Sequence, residues 1–370
     1  MNFKHNKKNE LKQKKYILLL LAAFWQFGYA QQRSLSHLQA GQLGHGINVS
    51  WLEQYWNPKV LYLNKLTDSD FRLIGSLGFK TIRLPVAFQQ FHIQGSDAQK
   101  AQLLADVDAV IRKSIRYHIK LVLVNHYGNL RADHLQYDTQ QLLTLWTFLE
   151  KRYRKISYNS LYFELLNEPV ISDQQWLPVA QKLIARIRER SPDRTIIVGA
   201  SNYNSIYELS RIVPLPFKNI IYTFHFYEPF LFTHQGADWI GKQVSTTGIP
   251  FPYLDQKMPP LASSARGTAG EINYKNYHNE GKAGAIHDKL LIIKKWSDIN
   301  HVPVLCSEYG VYRKFASEQS ICNYLTAVKN ELDRLSIPWM IWEYDENFSI
   351  FQGKPGMGTL SSCMLSLFRK

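Results

Sequence analysis

What most constrains this chain is a rhythm: short apolar runs with strand character alternate with longer stretches whose apolar residues recur every three or four positions. The short runs cover residues 44–50, 80–86, 119–126, 161–168, 194–200, 220–227, 302–309 and 337–344, eight in all. Between them lie amphipathic stretches such as DAQKAQLLADVDAVIRKSIRYH, DQQWLPVAQKLIARIRER and SEQSICNYLTAVKNELDRL. Such spacing lays an apolar stripe along one side of a helix. Eight strands alternating with helices over about 300 residues is the count of an α/β fold closed into a single-domain (β/α)8 barrel. A doubly wound open sheet is the structural rival. It would carry a glycine-rich phosphate turn after an early strand, and none is present.

One segment breaks the rhythm. From residue 228 to about 281 the chain is rich in proline, glycine, serine and aromatics, with no clear helical period. A loop this long in a compact domain is usually functional, so a cleft wall or lid is expected after the sixth strand.

The first 30 residues read as a secretory signal. Six lysines and one glutamate up to Lys15 precede the apolar YILLLLAAFWQFGYA, and small Gly28 and Ala30 stand before Gln31. Cleavage is expected after Ala30, giving a secreted or periplasmic mature chain, residues 31–370, that is not membrane-bound; an uncleaved anchor is the alternative. The formal charge of +14 falls to +9 once this net +5 leader is set aside. The remaining lysines and arginines are scattered, so no basic stripe for nucleic acid is formed. Cys306, Cys322 and Cys363 lack the paired spacing of a zinc site, and in a domain this large they make no disulfide framework, although one bridge is possible after export.

The fourth run, LYFELLNEPV, holds two glutamates that compete for a chemical role. Pro169 cannot donate a ladder hydrogen bond, so the strand is expected to end at about Glu168. Glu164 and Glu168 would then point to the same side, about 13 Å apart at roughly 3.3 Å per residue. That is too far for two carboxylates serving one small reacting centre. Glu168 therefore needs a partner from elsewhere, and Glu164 reads as structural, an ion-pair partner for Arg83.

Barrel chemistry sits at the C-terminal ends of the strands. Those ends carry Arg83, His126, Asn167 with Glu168, Asn202, His225 with Tyr227, Glu308 and Trp342. Glu308, ending the seventh strand, can face Glu168 across the mouth. Trp51, Tyr55 and Trp56 after the first strand are weaker candidates, divided between the outer cleft and local packing.

Together IRLPV, VNHYG, LLNEP, HFY, CSEYG and WMIWEY resemble, in order and spacing, the signature positions of glycoside hydrolase family 5, the cellulase family. The resemblance spans roughly residues 43–344. It implies a retaining β-glycosidase with Glu168 as acid/base and Glu308 as nucleophile, acting on a polysaccharide or oligosaccharide. An endo-β-1,4-glucanase is expected; mannan and other β-glucans are alternatives, as is a non-catalytic carbohydrate-binding barrel. Arg83 and Tyr227 are expected on Glu308, Asn167 on a sugar 2-hydroxyl, and His126 and His225 on hydroxyls or the carboxylates. Trp342 is expected to stack on a sugar ring. No cofactor or metal is expected, and the chain should act as a monomer.

Overall fold

The computed structural model describes residues 34–368, except 63–65 and 129. The expected leader and its cleavage site lie outside the described residues. Among the described residues eight parallel strands close into a barrel in chain order: β1 His45–Asn48, β2 Thr81–Val86, β3 Lys120–Asn125, β4 Leu161–Glu164, β5 Ile196–Gly199, β6 Ile220–His225, β7 Val304–Glu308 and β8 Trp339–Ile341. Pairing of Gly46 with Met340 closes the ring.

The strand sequences are apolar at nearly every position because both faces are covered. Val122, Val124, Tyr162, Ile197, Ile221, Leu305 and Met340 form one buried cluster with Ala40 and Leu43 of the helix Leu35–Leu43. Alternate strand residues join the larger cluster shared with the surrounding helices. Helices that carry a periodic apolar face turn it inward. In Asp97–Arg116, for example, Leu103, Val107, Val110 and Ile111 are buried, and Ser96 caps the start by accepting a hydrogen bond from Gln99 N at 3.3 Å.

The strands stop earlier than the apolar runs suggest. β4 ends at Glu164, and only single backbone bonds continue the path, from Leu165 N to Ile197 O at 3.2 Å and from Asn167 N to Asn125 O at 3.0 Å. Glu164 and Glu168 are therefore not members of one regular strand. An apolar run marks burial, whereas the length of a paired strand is set by how far its neighbours reach.

The 228–281 segment is more ordered than its composition implies. It contains the helix Ala269–Glu280, the helical turn Phe230–Thr233 and three short 3-10 turns. That helix buries only Gly270 and Tyr277, so it carries no apolar stripe for a periodicity reading to find. Lys289 is ion-paired with Glu228 and Glu280, which fastens both ends of the segment to one point on the helix Ala283–Asn300. Cys322 and Cys363 form a disulfide, and Cys306 is free and buried. No described helix is long and apolar enough to cross a membrane.

Candidate active site

Arg83 stands inside the barrel on β2 with no exposed surface. A buried guanidinium is tolerated only when its charge and donors are matched. Here Nε and Nη2 donate to the two carboxylate oxygens of Glu164 at 2.8 and 2.6 Å. Nη1 donates to Glu308 Oε1 at 2.5 Å and to Asn48 Oδ1 at 2.9 Å, and Nη2 also reaches Asn167 Oδ1 at 2.7 Å. One side chain thus ties β1, β2, β4 and β7 together directly beneath the mouth.

Glu308 ends β7 with its second oxygen, Oε2, accepting from the Tyr227 hydroxyl at 2.9 Å and lying 3.4 Å from His225 Nδ1. The same Nδ1 is 2.7 Å from Glu168 Oε1. Glu168, His225 and Glu308 each offer an atom within 4.8 Å of the others. Such a set has donor types that suit a metal, but the Arg83 guanidinium already supplies positive charge at Glu308.

The two glutamates differ in what opposes burial. Burial lifts Glu168 to about 7; the Arg83 charge pulls the other way and Glu164 adds to the rise. Burial also lifts Glu308, but Arg83 and the Tyr227 hydroxyl touch it directly and favour its ionised form. A single proton between them therefore belongs on Glu168. Burial pushes His225 down to about 4, so its imidazole is neutral at pH 7 and acts on the carboxylates as a hydrogen-bond donor rather than as a cation.

Residues 41–348 match the family model for cellulase, glycosyl hydrolase family 5. The chain belongs to that family. Endoglucanase 3 of Fibrobacter succinogenes is 31% identical over 336 residues, covering 84% of this chain and 50% of the relative. Endoglucanase C of Acetivibrio thermocellus is 32% identical over 207 residues, 52% of this chain and 60% of the relative. The chain thus spans about half the length of the first relative and three fifths of the second in these matches. An endoglucanase from Thermotoga maritima shares the fold with a TM-score of 0.72 at 23% identity, over 90% of this chain and 99% of that one.

Around the centre of this family 5 barrel, His126 is buried with Nε2 3.6 Å from Glu53 Oε2, and its ring stacks against Trp342 with centroids 5.7 Å apart. Burial keeps His126 neutral by pushing it well below the usual histidine range. Trp342 follows β8 and packs against the cluster of Ala237, Val244, Tyr312 and Phe348, so residues of the 228–281 segment back its indole. Of the aromatics after β1, Trp51 is core at 1% exposure, whereas Tyr55 and Trp56 are exposed and meet Tyr127 edge-on. Asn202 is exposed, in a left-handed turn, and is not brought to the carboxylates. The buried amide of that turn is Asn204, whose side chain lies against Gly199 at the end of β5.

Two acidic residues of this region escaped the sequence reading. Glu53, on the turn Trp51–Glu53, is 6% exposed and is lifted to about 8, chiefly by burial, with Glu308, Glu346 and Glu168 adding and the Tyr127 hydroxyl opposing. Glu343, next to Trp342, is buried and takes a hydrogen bond from Ser50. Both sit within aromatic runs where attention goes to the rings. The available signal was a charged residue inside an otherwise apolar stretch.

Proposed function

We propose that this chain is a secreted retaining endo-glucanase that cleaves internal β-1,4-glucosidic bonds of cellulose or a related β-glucan, with Glu308 as nucleophile and Glu168 as acid/base. The observation carrying this reading is the approach of Glu168, His225 and Glu308 atoms to within 4.8 Å. Retaining glycosidases hold their carboxyl groups about 5 to 5.5 Å apart, while inverting ones leave about 6.5 to 9.5 Å for a water.

In the first step Glu308 attacks the anomeric carbon as the bond to the leaving oxygen breaks, and the Glu168 proton goes to that oxygen. A glycosyl ester on Glu308 results. In the second step Glu168, now ionised, takes a proton from water; the oxygen of that water attacks the anomeric carbon and Glu308 leaves as carboxylate. Arg83 and Tyr227 favour the ionised nucleophile, and burial favours the protonated acid. Asn167 spends its Oδ1 on Arg83, which leaves its NH2 for the sugar 2-hydroxyl. His126 and Trp342 form an aromatic wall on which a pyranose face can lie.

The test is reducing-end release and viscosity loss from soluble cellulose derivatives, mixed-linkage β-glucan, mannan and xylan, using protein recovered from outside the cell. Rapid viscosity loss on β-glucan is expected, with mass spectrometry finding Gln31 at the N-terminus. No release from any β-glucan overturns the substrate assignment, and exported protein retaining residues 1–30 overturns the leader.

A further inference from the structure

Asn202, Tyr203 and Asn204 are three consecutive non-glycine residues with left-handed backbones, at φ of 54°, 60° and 62°. Asparagine visits this region singly, but three such residues in succession are strained and persist only where their surroundings hold them. Ser201 N donates to Asp173 Oδ1 at 2.8 Å at the start of the turn, and Ile206 and Leu209 are buried just beyond it. The turn folds the Asn204 side chain back onto β5. A Cβ on Gly199 would lie 1.8 Å from Asn204 Oδ1, so glycine yields its place to an amide supplied five residues later. That place faces the barrel interior, because Ile197, two residues before Gly199, belongs to the interior cluster.

Asn204 is fully buried, and neither amide atom has a protein hydrogen-bond partner. Leaving a buried polar group unmatched carries its full desolvation cost. Strained backbone and an unmatched amide at one residue are costs that packing alone does not explain.

The next strand holds a matching atom. Gly199 pairs with Thr223 of β6, and His225 lies two residues further along the same face. His225 Nδ1 faces Glu168 and Glu308, while its Nε2 is buried without a partner. The other groups facing this imidazole are Glu164 from β4, Arg83 from β2, His126 after β3 and Tyr227 just after β6. A neutral imidazole carries one N–H, and the bond made by one nitrogen decides which of the two carries it.

We propose that Asn204 is a positioning residue of the acid/base corner: its Nδ2–H, through one bridging water, satisfies the lone pair of His225 Nε2 and so keeps the ring proton on Nδ1, directed at Glu168 and Glu308. The water would find Asn204 Oδ1, Asn204 Nδ2 and His225 Nε2 around it, about the three polar partners a buried water usually has. The effect on turnover rests on the roles proposed for Glu168 and Glu308; the state of the ring does not.

The experiment uses full-length protein labelled with [15N]histidine, with His225 assigned by comparison with His225→Gln. Wild type, Asn204→Ala and Gly199→Ala are compared; the last displaces the amide without removing it, so either variant carries the test if the other fails to fold. Wild type should hold one tautomer, protonated at Nδ1, and both variants should lose it to a mixture. On soluble β-glucan both limbs of the kcat/KM profile should then move up by about half a unit or more, since each carboxylate loses a donor to its ionised form. An unchanged tautomer in the variants, with only the Tm lowered, overturns the proposal and leaves Asn204 as filler. Wild type inactive on every glycan would instead overturn the proposed function, and the ring spectra would still decide the role of Asn204.

Discussion

Arg83 and Glu164 form a two-point ion pair in which neither side chain has exposed surface. Removing one partner of such a pair strands the other's charge in the interior, at about 3 to 5 kcal/mol. Glu164→Ala should lower unfolding stability by that amount in urea titrations. Because the freed guanidinium would turn more fully to Glu308, the acid limb of activity should also move down in pH. A loss below about 1 kcal/mol would show that the pair is not the structural centre of the mouth.

If Glu168 is the acid, as proposed, activity should fall as pH rises through about 7, because it would then have to be protonated to help the leaving group and burial holds it near that value. Glu168→Ala should lose polymer hydrolysis by roughly 10²- to 10⁴-fold, yet still be glycosylated by an aryl glycoside whose leaving group needs no proton. Added azide should then give the β-glycosyl azide. Glu308→Gly should give the α-azide instead, since no covalent intermediate can form and azide enters from the vacated side. The same anomer from both variants would mean the two roles are misassigned.

Glu53 affects stability with a definite sign. Its carboxyl is raised to about 8 in the fold against 4.5 ordinarily, so between those values the folded chain binds the extra proton. Stability therefore falls as pH rises through this window, and the whole cost is present above about 8. Glu53→Gln should raise the Tm relative to wild type at pH 9 and leave much less difference at pH 4. An equal effect at both pH values would place the cost in packing, not ionisation.

Trp342 stacks on His126 and is backed by Phe348 and Tyr312. Trp342→Ala should raise KM for short oligosaccharides by roughly tenfold, the upper end of what an aromatic face contributes, with little change in Tm. Wild-type KM on cellotetraose would remove Trp342 from the binding surface.

The sequence by itself determined the barrel and the stations of its mouth. Short apolar runs and period-three-to-four patterns are local consequences of burial, so eight strands could be read in order with amphipathic helices between several of them, and His126, Glu168, His225, Glu308 and Trp342 could be found near the run ends, whereas Arg83 stands in the middle of β2. The helix Ala269–Glu280 left no such trace, because only Gly270 and Tyr277 are buried and the rest of its surface stays polar. Nor could sequence say that Glu164 and Glu168 leave a common strand, since where β4 stops pairing is decided by the reach of β3 and β5. Tertiary structure alone chose Asn204 over Asn202: both asparagines share a left-handed turn, and only the missing Cβ of Gly199 admits one amide to the interior. It also set Glu53 beside His126, whereas the two acidic partners of Arg83, Glu164 and Glu308, are those the sequence had pointed to. These contacts join residues 73 to 225 positions apart, and their energies depend on burial and distance, which a linear pattern does not carry.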